Sequence, residues 1–255
     1  MPPGPVPRIE LRGVRKGFGG AEVLAGVDLA VMKGESLVII GGSGTGKSVT
    51  LKCILGILTP DAGEILIDGA PAGRIDRRAF LRDFGMLFQG GALFDSLPVW
   101  QNVAFRLIHA RKPLPRRAAH ALAVAKLARV GLGPEVADLY PAELSGGMQK
   151  RVGLARAIAT DPHVIFFDEP TAGLDPIMAG VINDLIRELV TEMGATAVTI
   201  THDMTTVRTV ADHVAMLHGG VVRWAGPVEA MDGCGDPYVD QFIRGRAQGP
   251  IAAIR

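Results

Sequence analysis

The sequence has few of the features that crosslink a chain or anchor it in a membrane. It contains only two cysteines, Cys53 and Cys234, in contexts that match no metal-ligand spacing, which favours a reducing compartment. No window offers the roughly 18 to 20 uncharged apolar residues that a bilayer crossing requires. The 27 basic and 26 acidic residues nearly cancel, so the total charge gives no reason to expect a nucleic-acid partner.

What the sequence does contain is a glycine-rich loop of the phosphate-binding type. Residues 41–48 fit G-x-x-x-x-G-K-[ST]; they follow the apolar run Leu37–Ile40 and precede a predicted helix at Val49–Ile57. Inward-turned N–H groups and the helix N-terminus suit such a loop to a polyphosphate. Lys47 is expected to reach the β- and γ-phosphates, and Ser48 to ligate Mg²⁺. The loop comprises Gly41, Gly42, Ser43, Gly44, Thr45, Gly46, Lys47 and Ser48.

Two antiparallel strands are predicted ahead of this loop. Ile9–Val14 and Leu24–Val31 both alternate apolar and polar residues, with Gly19 and Gly20 as the turn between them. Phe18 precedes that turn. Its pattern leaves two roles open, a core side chain or a ring on which a nucleobase stacks.

A mostly helical insertion is predicted at residues 92–159, within an α/β core. It follows a predicted strand that ends in the polar Gln89, and it contains helical patterns at Pro98–His109 and Arg116–Val130. Near its end, Ser145-Gly146-Gly147 precedes a further helix, with Ser145 as a typical N-cap. This helix start is a second candidate anion site, although alone it could be only a cap.

Acidic residues and a histidine follow two later apolar strands. Val164–Phe167 leads into Asp168 and Glu169, and Thr196–Thr201 leads into His202. Strands of this kind deliver side chains to the carboxyl edge of a sheet, where ligands bind. Taken alone, the acidic pair could equally be a strand-terminal turn.

In order and spacing, these motifs resemble those of ATP-binding-cassette (ABC) ATPases from about Ile9 to Ala230. The resemblance implies an α/β fold, namely a RecA-like P-loop NTPase core with an antiparallel β-subdomain and an inserted α-helical subdomain. It also implies a dimer that holds two ATP molecules between subunits. The expected divisions are a disordered lead-in at 1–8, the core with β-subdomain at 9–91 and 160–230, the α-helical signature subdomain at 92–159 and a C-terminal tail at 231–255.

The resemblance implies site roles residue by residue. Phe18 would stack on adenine, Gln89 would sense the γ-phosphate and Mg²⁺, and Ser145, Gly146 and Gly147 would contact ATP held by the opposite subunit. Asp168 would associate with Mg²⁺, Glu169 would orient and deprotonate the attacking water with Lys47 neutralising charge, His202 would bridge the γ-phosphate and Glu169, and Asp175 would link the two sites. Val49 stands where most of these ATPases have Ser or Thr, so a hydroxyl bond to the α-phosphate, worth about 1 kcal/mol, would be missing here.

Further segments are similar to the ATPases of bacterial lipid transporters that work with mammalian-cell-entry (MCE) proteins, the Mla phospholipid type above all. They include Gly91–Leu97, which reads Gly-Ala-Leu-Phe-Asp-Ser-Leu, the segment Gly147–Gly153, and the end of the chain from Tyr238. This resemblance implies coupling of ATP hydrolysis to phospholipid movement between inner and outer membrane. It places the chain at the cytoplasmic face of the bacterial inner membrane, with a permease docking near Gln89 to Trp100, an MCE-domain protein and a small STAS-domain protein as partners.

Three other functions are compatible with some of these motifs. An importer of another lipid, a sterol or a small solute is allowed by the cassette motifs alone. A soluble cassette acting on nucleic acid or ribosomes would commonly carry a second cassette or a coiled insertion, and a non-hydrolysing nucleotide sensor would lack Glu169. The apolar set after Gln89 (Phe94, Leu97, Val99 and Trp100) suits either an exposed docking patch or core packing.

Overall fold

The computed structural model describes residues 5–252, apart from the side chains of residues 77–79. Residues 1–4 of the predicted lead-in and 253–255 of the predicted tail lie outside the described residues. The chain divides into two compact units. The terminal unit comprises residues up to Asp76 together with those from Val198 onward, and the central unit is Arg77–Ala197. This division into compact units does not show whether residues 92–159 form a subdomain inserted into an ATP-binding core. The predicted subdomain at 92–159 therefore stays a prediction.

Strands and helices alternate along most of the chain. In order they are β1 (Ile9–Phe18), β2 (Ala21–Val31), β3 (Ser36–Ile40), α1 (Lys47–Ile54), β4 (Ala62–Ile67), β5 (Ala70–Pro71), α2 (Arg77–Arg82), β6 (Phe84–Leu87), α3 (Val99–Ile108), α4 (Arg116–Arg129), α5 (Gly146–Ala157), β7 (Val164–Asp168), α6 (Pro176–Met193), β8 (Thr196–Ile200), α7 (Met204–Val210), β9 (His213–His218), β10 (Val221–Pro227) and α8 (Pro237–Ile243). In the described part of the chain, no helix is both long enough and apolar enough to cross a bilayer.

The terminal unit carries an antiparallel sheet with strand order β2-β1-β4-β5. Gly19 and Gly20 join β1 to β2 with φ of 56° and 86°, the left-handed conformation that tight hairpin turns require. This confirms the predicted hairpin, although β1 runs to Phe18 rather than ending at Val14. The extra residues carry Phe18 to the end of the strand.

A second set of strands in the terminal unit supports the glycine loop, in the order β10-β9-β3-β8. β3 pairs in parallel with β9, and all five of its residues are buried. Burial on both faces explains why its sequence is continuously apolar rather than alternating. The predicted central parallel strand before the loop is therefore confirmed.

The central unit combines two parallel strands with helices. β6 pairs in parallel with β7. Helix α3 packs against α4 and α5, and the buried side chains among them include Val103, Leu127 and Val152. The helices predicted at Pro98–His109 and Arg116–Val130 are confirmed to within one residue at each end.

Candidate functional site

The glycine loop leaves β3 in a backbone conformation that only glycine adopts easily. Gly41, Gly44 and Gly46 have φ of 149°, 76° and 103°. A Cβ on Gly41 would lie 2.3 Å from the carbonyl oxygen of Leu217, and one on Gly46 would lie 2.6 Å from Leu24 Cδ2. Larger residues are therefore disfavoured by both conformation and space at Gly41 and Gly46, and by conformation alone at Gly44, where a Cβ would meet no atom within 4 Å.

Side chains within the loop hold its shape. Lys47 Nζ donates to the carbonyl oxygens of Gly41 at 2.7 Å and Gly42 at 2.8 Å. The Thr45 hydroxyl donates to the Gly42 carbonyl at 2.9 Å, and the buried Thr50 hydroxyl donates to the Gly46 carbonyl at 3.0 Å. The lysine ammonium thus lies over the loop, where a bound polyphosphate would meet it. Ser48 is exposed at the start of α1, and Val49 beside it is half-buried.

Phe18 is 46% exposed, so it does not act as a core side chain. Its ring borders a surface cleft of about 440 Å³ that the β1–β2 turn and Asp61 also line. Lys16 Nζ lies 5.7 Å from the ring centroid and 2.5 Å from Asp61 Oδ1. Of the two roles left open by sequence, the available face favours stacking.

His202 lies just beyond β8, in the terminal unit, and is exposed. The next residue, Asp203, caps α7 by accepting from the N–H of Thr205 at 2.9 Å, and its own N–H donates to the Thr201 hydroxyl at 3.1 Å. These bonds determine where the backbone presents His202 at the end of the strand.

In the central unit, Gln89 is exposed in the loop after β6. The loop continues through Gly90, Gly91 and Ala92, all with positive φ. Arg156 holds it from α5, because its guanidinium donates to the carbonyl oxygens of Gly91 at 2.6 Å and Ala92 at 2.8 Å. Burial of this guanidinium lowers the pKa of Arg156.

Ser145 caps α5, and Gly146 and Gly147 are the first two residues of that helix. Ser145 Oγ accepts from the N–H of Met148 at 3.3 Å, which confirms the predicted N-cap. Gly146 is exposed and has no atom within 4 Å of a built Cβ, whereas a Cβ on Gly147 would lie 2.7 Å from Met178 Cε. The first turn of this helix is therefore open at Gly146 and closely packed at Gly147.

The acidic pair ends β7. Asp168 is the last strand residue, and Glu169 follows with φ of 47°, in the left-handed region that costs a non-glycine residue about 1 kcal/mol or more. The Glu169 carbonyl oxygen accepts two hydrogen bonds. One comes from the N–H of Ala172 at 3.2 Å and the other from Lys150 Nζ at 3.3 Å.

Asp175 and Lys150 have local partners that the sequence alone did not reveal. Asp175 caps α6 by accepting from the N–H groups of Ile177 and Met178, both at 3.0 Å. Lys150, on α5, is only 4% exposed. Burial lowers the pKa of Lys150, and the charges of Glu169 and Asp168 oppose that shift.

Comparison with known proteins decides the family. Residues 24–172 match the ABC transporter family model. The chain is 41% identical over 246 residues to the intermembrane phospholipid transport system ATP-binding protein MlaF of Escherichia coli K12, covering 95% of this chain and 91% of MlaF. It is 40% identical over 247 residues to the probable ribonucleotide transport ATP-binding protein mkl of Mycobacterium tuberculosis H37Rv, covering 95% of this chain and 68% of mkl.

Among solved structures, the chain resembles the ATP-binding cassette MJ0796, a dimer in a post-hydrolysis state bound to ADP and Pi. The TM-score is 0.77 at 32% identity, covering 86% of this chain and 98% of that one. The chain belongs to the ABC transporter ATPase family. The expected RecA-like ABC fold and ATPase activity are thereby confirmed.

The predicted site residues of this ABC ATPase fall in both units. The terminal unit holds Phe18, the glycine loop with Val49, and His202, and the central unit holds Gln89, the Ser145–Gly147 cap, Asp168, Glu169 and Asp175. Within each unit, the helix caps, strand ends and hydrogen bonds already described fix the local positions of these residues. Their individual roles in nucleotide chemistry stay predictions.

The apolar set after Gln89 separates by exposure, and Leu97 within it is half-buried. Val99 and Trp100 are core residues of the central unit, at 0% and 4% exposure, so the interpretation of an exposed patch is wrong for them. Phe94 is 43% exposed, and its ring stacks on Phe105 with centroids 4.4 Å apart. The exposed apolar surface of this ABC ATPase near Gln89 therefore comes from Phe94 and from Phe88, which is 42% exposed.

Lys150 is a candidate functional residue that sequence reasoning missed. No individual role was predicted for it from the sequence. The available signal was helical spacing. Positions 147 and 154 lie three residues before and four residues after Lys150, so they share its face of the helix. Both are buried, which indicates that Lys150 also points inward.

Proposed function

We propose that this ABC ATPase is the energy-coupling subunit of a phospholipid transporter of the Mla type. The observation that carries the hydrolytic part is the left-handed turn that places Glu169 immediately after the strand-terminal Asp168. An acid beyond the strand end suits a general base, and its neighbour suits a metal-associated carboxylate.

Nucleotide binding would begin at the glycine loop. Lys47 would exchange its carbonyl partners on Gly41 and Gly42 for the β- and γ-phosphate oxygens, and the exposed ring of Phe18 would stack on adenine. Both steps use groups that lie at the surface of the terminal unit. The remaining ATP contacts would come from the loop N–H groups and from Gln89.

Hydrolysis requires charge neutralisation on the γ-phosphate and an oriented water. Lys47 would supply positive charge, while the Glu169 carboxylate would accept a proton from the attacking water. His202 would donate a hydrogen bond to the γ-phosphate and keep Glu169 oriented. The strained backbone at Glu169 supports the proposal, because such conformations concentrate at functional sites.

The donor set also suits Mg²⁺, which prefers oxygen ligands. The Ser48 hydroxyl, the Asp168 carboxylate and the Gln89 amide oxygen would hold it. When bound, the ion would neutralise charge on the β- and γ-phosphate oxygens. The protein contributes those oxygens and, through Lys47, a further positive charge.

A second copy of the chain would complete each site. The exposed Ser145 and Gly146 at the start of α5 would contact the γ-phosphate of ATP held by the other copy, and Asp175 would link the two sites. The dimer of MJ0796 bound to ADP and Pi supports this arrangement.

The cargo proposal rests on similarity to MlaF, of which the chain covers 91%. A permease would dock on the exposed Phe88 and Phe94 of the central unit, at the cytoplasmic face of the inner membrane, with an MCE-domain protein and a STAS-domain protein in the assembly. Ribonucleotide transport, the activity named for mkl, is the second candidate because its identity is nearly equal.

The variant Glu169→Gln tests the hydrolytic role. We expect ATPase activity to fall at least 100-fold while ATP binding persists, since the amide cannot accept the proton from water, and we expect ATP-bound dimers to accumulate on size-exclusion chromatography. The control is Glu188→Gln, which alters an exposed carboxylate on α6 of the same unit. Hydrolysis by Glu169→Gln at the parent rate would show that another group activates the water.

Affinity purification from native membranes tests the cargo. The tagged Glu169→Gln chain is extracted in detergent with its partners, and proteins and lipids are identified by mass spectrometry. A permease, an MCE-domain protein and bound phospholipid support the proposal. A permease accompanied by a solute-binding protein and no MCE-domain protein would favour the ribonucleotide or small-solute alternative.

A further inference from the structure

Lys150 is a buried lysine whose ammonium contacts the backbone of the acidic turn. It lies on α5 with 4% of its surface exposed, and its Nζ donates to the Glu169 carbonyl oxygen at 3.3 Å. The contact links the helix that begins at Gly146 to the turn that carries the carboxylate. We propose that Lys150 is a positioning residue that holds the Glu169 turn in its hydrolytic conformation.

The backbone at Glu169 needs such support. Its φ of 47° lies in the left-handed region, and a non-glycine residue remains there only when surrounding contacts determine the conformation. The N–H of Ala172 supplies one contact to the carbonyl of Glu169 at 3.2 Å, and Lys150 supplies a second from a different element. Because the carbonyl and side chain share one Cα, fixing the carbonyl limits the directions available to the carboxylate.

Burying the Lys150 ammonium costs hydration free energy, and side-chain packing alone does not explain why this residue is buried. A long ammonium side chain is rarely buried without a partner that compensates for lost hydration. Lys126, the other buried lysine of the central unit, forms an ion pair with the exposed carboxylate of Asp161, and its Nζ lies 2.5 Å from Asp161 Oδ1. Lys150 instead reaches a backbone carbonyl, with the charges of Asp168 and Glu169 acting on it.

This inference rests on the proposed role of Glu169. If the carboxylate must be oriented toward water, loosening the turn should slow the chemical step without weakening nucleotide binding. We therefore expect Lys150→Met, which keeps the length of the stem and removes the donor, to lower kcat about ten- to hundredfold. KM and the Kd for a fluorescent ATP analogue should change by less than about twofold.

The matched control is Lys126→Met, which removes a buried ammonium from the same unit without touching the acidic turn. Both variants are expected to lower Tm, but only Lys150→Met should lose kcat, and Lys150→Arg should recover most of it because a guanidinium can also reach the carbonyl. Equal losses of kcat in the two methionine variants, or an unchanged kcat in Lys150→Met, would overturn the proposal.

Two further comparisons separate this inference from the proposed function. If Glu169→Gln keeps the parent rate, the role of Glu169 itself is wrong; if Glu169→Gln is inactive but Lys150→Met behaves as Lys126→Met does, only the role of Lys150 is wrong. Adding Lys150→Met to Glu169→Gln should cause no further loss, since both act on one step. Should Lys150→Met fail to fold, Lys150→Leu, which also has no donor, is compared with Lys150→Arg, and equal kcat in that pair would also overturn the proposal.

Discussion

Asn102 provides a sharp test of how the central unit presents its exposed aromatic side chains. It is fully buried on α3, and its amide makes four hydrogen bonds to one short loop. Oδ1 accepts from the N–H of Phe94 at 2.7 Å. Nδ2 donates to the carbonyl oxygens of Phe94 at 3.1 Å, Leu97 at 2.9 Å and Pro98 at 3.3 Å. Asn102→Ala removes all four bonds.

The expected loss in stability follows from those bonds. Each buried hydrogen bond contributes about 1 kcal/mol net, and backbone groups left without a partner add to the cost. Water can reach part of the loop, because Phe94 is 43% exposed, so we expect a total of about 2 to 4 kcal/mol. For a chain of this size, that corresponds to a fall in Tm of roughly 4 to 16 °C.

Differential scanning calorimetry measures the fall in Tm, with Gln101→Ala, the preceding residue on α3, as the control. Asn102→Asp should be at least as unstable as Asn102→Ala, because the carboxylate keeps the bond from Phe94 but turns a negative charge toward three carbonyl oxygens. Hydrogen exchange of the Phe94 amide should accelerate in Asn102→Ala. A Tm within about 2 °C of the parent would show that the four hydrogen bonds of Asn102 contribute little to stability and would refute this reasoning.

Three other predictions concern residues expected to contact nucleotide. Gly146→Ala should leave Tm unchanged, because a Cβ there meets no atom within 4 Å, yet lower ATPase activity at least tenfold if that surface contacts ATP of a second copy; normal activity would argue against the contact. Gly147→Ala should change Tm little, because its Cβ would lie 2.7 Å from Met178 Cε, the end of a flexible side chain that can shift, and normal activity in this variant would argue against a nucleotide contact at Gly147. Val49→Thr should tighten the Kd for ATP about fivefold relative to both the parent and Val49→Ala, through one added hydrogen bond of about 1 kcal/mol. An unchanged Kd would contradict the expected α-phosphate contact.

Local pattern was sufficient for the elements that carry the candidate site. The glycine spacing at residues 41–48 predicted a loop between a buried strand and a helix, and the structure has β3 and α1 at those positions. Ser145 was predicted as an N-cap and is one. No strand was predicted at β9 or β10, although β9 is the parallel neighbour of β3. Pairing between strands so distant in sequence depends on the packed sheet, so no local pattern indicates it.

The chain's sequence determined the glycine loop, the order of acidic and polar residues after the strands, and the family, because each depends on residue types at short spacing. Tertiary structure decided that Phe18 is exposed, that Val99 and Trp100 are core residues, and that Lys150 reaches the Glu169 carbonyl. These outcomes depend on which surfaces meet after folding. Residues 19 positions apart on different elements share a hydrogen bond only when packing brings them together.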